Sequence, residues 1–120
     1  DDEIRSAACR FGVRTECLYY LDNLPHRGMV HALGTKAVLI GTRQDIPTKG
    51  QMVICRMPLT GPYNTHWIRI RGIVVEQRLY AEGVGYAFVM DIEDVDELGE
   101  PGVWSDYLTY LQSQQSGNHP

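Results

Sequence analysis

The chain has 120 residues, of which 43% are hydrophobic and 22% charged, the make-up of one ordinary globular domain. No apolar run approaches the roughly 18 residues that a membrane-spanning helix needs. Three cysteines (Cys9, Cys17, Cys55) with no C-x-x-C pair suggest neither a disulfide framework nor a zinc site, and a net charge of −4 argues against a general nucleic-acid binder.

The net charge hides a split. All eleven Lys and Arg lie within residues 4–90, against five acids there, a balance of +6; residues 91–106 hold seven acids and no base. The body can therefore receive an anion while the tail keeps the chain acidic. With an odd number of cysteines and no signal peptide visible at the first residues, the expected setting is a reducing cytoplasm. Cys17 and Cys55 read as small apolar strand residues.

In chain order, residues 1–13 are expected to form an N-terminal arm, and Arg10 and Arg14 stand four apart where it meets the first strand. Residues 14–21, RTECLYYL, carry β-favouring and aromatic types and precede DNLPHRG, a cluster of turn formers. Residues 28–33 supply the hairpin partner, and 36–41, KAVLIG, a third strand. After a loop with Pro47 and Gly50, Met52–Met57 reads as a fourth.

HWIRIRGIVVEQ, residues 66–77, is the longest strand candidate. Ile68 and Ile70 alternate with Arg69 and Arg71, which predicts one apolar and one cationic face. Gly72 breaks the alternation, and a bulge or bend there accounts for the continuous apolar run Ile73–Val75. A turn at Tyr80–Gly83 leads to the sixth strand, Val84–Met90. The acids from Asp91 onward read as a solvated loop. Ser105 or Asp106 is expected to cap a closing helix through about Gln115, with Trp104, Tyr107, Leu108 and Leu111 on one apolar stripe docked against the strands.

These elements predict an all-β fold, a small six-stranded antiparallel barrel over 14–98 followed by a C-terminal helix over 99–116 and a frayed tail at 117–120. An open sandwich of the same strands is the second choice. No catalytic signature accompanies them. The four histidines lack paired ligand spacing, the acids at 91–97 lack a calcium-loop pattern, and no serine lies in a nucleophile elbow. Neither catalysis nor a bound metal or cofactor is expected.

Taken together, the features resemble a PilZ domain, the bacterial receptor module for cyclic di-GMP, over about residues 10–98. The family's first motif, R-x-x-x-R, is present as Arg10-Phe11-Gly12-Val13-Arg14. The stretch IRIRGIVVEQ, a short turn and GVGYAFVMDIEDVDE are similar to its paired fifth and sixth strands. The second motif, D/N-x-S-x-x-G, falls on His31-Ala32-Leu33-Gly34-Thr35-Lys36, where none of the three defining residues is kept.

The resemblance implies a ligand site at Arg10 and Arg14, with His31 and Lys36 supplying charge or a hydrogen bond near the same surface, and cyclic di-GMP as the ligand. Arginine suits that molecule: its planar fork donates in pairs to guanine or phosphate, and its face stacks on a base. The implied output is a signal relayed to a protein partner. The alternative is a degenerate PilZ-like adaptor that acts by protein contact alone, through Tyr19-Tyr20, the Trp104 stripe or the acidic 91–100 segment. A third reading, single-stranded nucleic acid held by Trp67, Arg69 and Arg71, is disfavoured by the acidity of the chain.

Overall fold

The computed structural model describes residues 9–62, 64–79 and 85–117. Six antiparallel strands close into a barrel: β1 (Phe11–Leu21), β2 (Leu24–Leu33), β3 (Ala37–Thr42), β4 (Met52–Thr60), β5 (Thr65–Leu79) and β6 (Tyr86–Asp96), in the spatial order β1-β2-β3-β6-β5-β4. One helix, α1 (Val103–Gly117), follows. The strands close completely, so the open sandwich does not form.

Alternation builds the core. Val53, Cys55 and Met57 of β4 and Ile68 and Ile70 of β5 point inward and are fully buried, together with Tyr19, Leu33, Ile40, Phe88 and Met90. The intervening residues face outward. Cys17 and Cys55 are small core residues, as expected, and Cys9 is buried in a second cluster with Ala32, Ala37, Leu39, Ala87 and Val89.

Barrel closure between β1 and β4 pairs Leu18, Tyr19 and Tyr20 with Arg56, Cys55 and Ile54. Helix α1 packs against the barrel core through Val103, Trp104, Leu108, Tyr110 and Leu111, and Tyr107 enters the core itself. Burial pushes the Tyr107 phenol up, against a hydrogen bond with Thr15 of β1. The apolar stripe therefore docks as its spacing predicts, with Tyr110 added. The expected cap does not hold: the helix begins at Val103, and the Glu97 carboxylate accepts the Trp104 N–H at 2.9 Å.

Three differences from the sequence reading have local causes. Asp22 and Asn23 adopt left-handed φ values of 51° and 68°, which gives a two-residue hairpin turn, so LPHRG is strand rather than loop. The acidic run is not a loop at its start, because β6 continues to Asp96 with Ile92 and Val95 packed against the core. The extra residue at the bulge, Glu93, disguised that alternation in the sequence. A bulge does occur at this level, but its extra residue is Glu93 on β6, not on β5: alternation runs on through Gly72, which points inward where a Cβ would collide with the Asp91 carbonyl oxygen, and Ile73 and Val75 are only half-buried. The turn at Tyr80–Gly83 lies outside the described residues.

The third difference bears on the site. β1 begins at Phe11, which is buried and opposite Leu33, so the arm expected over 1–13 gives way to strand before Arg14.

Candidate functional site

The register gathers the four predicted site residues at one corner of the barrel. Phe11 pairs with Leu33 and Gly12 with Ala32, while the next pair is Thr15 with Val30. Val13 and Arg14 thus stand together opposite His31, a two-against-one bulge that turns Arg14 toward that histidine. Arg10 directly precedes Phe11. Lys36 lies in the β2–β3 turn beyond Leu33, where the Gly34 N–H donates to the Ala37 carbonyl at 2.9 Å.

Each residue is held by a different device. The Arg10 carbonyl accepts the Gln115 side-chain amide at 3.2 Å, so the last turn of α1 pins the entry to β1. The Arg10 guanidinium lies 5.8 Å from the centroid of the Phe11 ring. Arg14 and Lys36 are exposed. The Lys36 carbonyl accepts the Ile92 N–H at 2.7 Å, which ties the turn to β6. His31 is half-buried, and burial pulls its pKa below the ordinary 6.5, followed by the positive charge of Arg14.

Among the described residues no ion pair joins Arg10, Arg14 or Lys36 to a carboxylate. Three cations thus stand around this corner, a charge that attracts an anion, with Asp91 beside them opposite Ala37. At the position of the family's serine, however, stands Leu33, fully buried in the barrel core, so that position offers no polar group to the outside.

A cleft of about 230 Å³ lies elsewhere, between the β4–β5 turn and the start of α1, lined by Leu59, Asn64, Glu100, Asp106, Tyr107 and Tyr110 among others. Its two carboxylates disfavour an anionic guest. No group of three or more His, Cys, Asp or Glu side chains suited to a metal comes together among the described residues. No helix there is long and apolar enough to cross a membrane.

Two groupings were not foreseen. At the other end of β1 the Tyr19 hydroxyl lies 2.6 Å from the Asp45 carbonyl and 2.7 Å from the Thr42 hydroxyl. His26 stacks on the Tyr19 ring with centroids 5.3 Å apart. Tyr19 is therefore no contact surface, and only Tyr20 of that pair faces outward. The second grouping is on the outside of the barrel, where Arg56 lies opposite Arg69 with Arg71 one rung along. The alternation of MVICRMP, with Val53, Cys55 and Met57 inward, is the signal that sets Arg56 on the outer face.

No protein-family model and no curated protein sequence matches the chain. Among solved structures, the inhibitor of motility MotI/DgrA of Bacillus subtilis matches with a TM-score of 0.79 at 10% identity, over 97% of this chain and 54% of that one. The chain thus spans about half the length of that protein. At so low an identity the likeness speaks to architecture: the closed six-stranded barrel with its C-terminal helix is a PilZ-like fold.

Proposed function

We propose that this domain is a bacterial, non-catalytic signalling module that binds cyclic di-GMP at the β1–β2–β3 corner and relays occupancy to a protein partner. The observation that supports this reading is the backbone register, which places Arg10, Arg14 and Lys36, none paired with a carboxylate among the described residues, around the same corner as His31 on a PilZ-like barrel. The ligand is a dianion with two guanine rings. Arg14 and Lys36 would meet its phosphates, and Arg10, whose carbonyl α1 already holds, would stack on or fork to a guanine. Occupancy would alter the surface that this corner shows to the partner.

Calorimetric titration with cyclic di-GMP tests this, with Arg10→Ala and Arg14→Ala as variants. Saturable heat in the parent chain that is lost in both variants supports the reading. Absence of heat and of any melting shift in the parent chain removes it.

The second reading, an adaptor that no longer senses the nucleotide, draws on Leu33. A fully buried leucine at the serine position cannot help surround a ligand. In that case the corner is a cationic surface for a protein partner, and the titration is silent.

A further inference from the structure

The outer face of β4, β5 and β6 forms two parallel ridges of opposite charge. One rung reads Leu18, Arg56, Arg69, Asp96 across β1, β4, β5 and β6; the next reads Tyr20, Ile54, Arg71, Asp94. Arginines thus run along β4–β5 and aspartates along β6. Arg56 and Arg69 sit directly opposite one another, a like-charge pair that costs stability unless an anion lies over it. Arg69 has a within-chain partner, Asp96 at 3.8 Å, with both side chains about half exposed. Arg56 has none for its Nε, which is buried without a hydrogen-bond acceptor. Around the ridges, Met52 is 54% exposed and Trp67 46% exposed, and Ile54 and Ile73 are half-covered.

The arrangement discriminates among occupants. A nucleic acid would stack on Trp67 and use the arginines, but the aspartate ridge one strand away repels a continuous polyanion. A free acidic peptide would meet the same ridge. A second copy of this chain meets no such penalty. A two-fold axis lying in the interface, parallel to the strands and between β5 and β6, sets the β5 arginines of each copy over the β6 aspartates of the other, with Arg56 of β4 outside the pairing. It also pairs them rung by rung: Arg71 over Asp94, Arg69 over Asp96.

We infer that the outer β4–β5–β6 face is a self-complementary surface through which two copies of this chain associate. It involves none of Arg10, Arg14, His31 or Lys36, so the inference stands apart from the nucleotide reading. Because the matched contacts are charged, association weakens as salt rises.

Sedimentation of the 120-residue chain over a range of protein concentrations, at low and high salt, provides the test, together with Arg71→Glu and Asp94→Arg. Each reversal alone places like charges across the axis twice and weakens self-association roughly tenfold or more. Mixing the two variants restores opposite charges at both contacts, so a mixed dimer forms where neither variant dimerises alone. That rescue also excludes misfolding as the cause. A chain that stays monomeric at every concentration overturns the inference, as does a dimer indifferent to both reversals. So does a monomer that binds an oligonucleotide through Arg71.

Discussion

The two ends of β1 carry polar groups of similar kind with opposite fates. At the hairpin end, the Tyr19 hydroxyl, the Thr42 hydroxyl and the Arg27 and Asp45 carbonyls find partners in one another, and His26 lies stacked on the ring. At the entry end, Arg10, Arg14 and Lys36 form no ion pair with a carboxylate among the described residues. A buried network closed on itself spends its polar groups on the fold. An exposed set of like charges held close together weakens the fold slightly and gains when an anion arrives. The contrast separates scaffold from candidate site at the two ends of β1.

The contrast breaks most visibly if the scaffold end is not what holds the barrel. Tyr19→Ala removes a fully buried ring packed edge-on against Phe88 at 5.3 Å and should cost about 3–5 kcal/mol in denaturant melts. A loss below 1 kcal/mol would contradict that assignment. Tyr19→Phe keeps the ring and deletes only the hydroxyl. It should cost about 1–3 kcal/mol because Thr42 and the Asp45 carbonyl lose a partner. Measured together, the two variants divide packing from hydrogen bonding.

A smaller effect sharpens the entry end. His31 has a folded pKa below its ordinary 6.5, first through burial and then through Arg14. The unfolded chain therefore binds the proton more readily. The contribution to stability is complete above pH 6.5 and is lost as pH falls through the lower folded value. Melts from neutral to mildly acid buffer should show a decline that His31→Gln removes and Arg14→Ala reduces without abolishing. Identical profiles for His31→Gln and the parent chain would refute this. Least of all on stability should be Arg14→Ala at neutral pH, within about 0.5 kcal/mol, since the side chain is exposed. At that pH its loss should show in ligand binding.

The barrel was legible in the sequence wherever alternation was clean. Ile68 and Ile70 against Arg69 and Arg71 gave the faces of β5 directly. Legibility failed where one extra residue shifted the period. Glu93 hid the continuation of β6 into the acidic run, and the bulge at Val13–Arg14 hid the start of β1 at Phe11. The turn formers after Leu21 misled for another reason: Asp22 and Asn23 suffice for the turn, and Pro25 and Gly28 serve the strand. A Cβ at Gly28 would press on Ile40 at 2.9 Å and on the Tyr19 ring at 3.1 Å. At the candidate site, the residues could be read from motif spacing, but their meeting depends on strand register. Long-range partners such as Gln115 for Arg10 and Glu97 for the helix start leave no local pattern at all.

The central claim is most directly tested by titrating cyclic di-GMP into three folded proteins while following the melting transition: the parent chain, Arg14→Ala and Arg71→Glu. The account predicts about 2.7 kcal/mol of stabilisation at a hundredfold excess over Kd for the parent and for Arg71→Glu, whose change lies on the outer ridge, and none for Arg14→Ala. An unresponsive parent chain, or an Arg14→Ala protein stabilised as much as the parent, would contradict it.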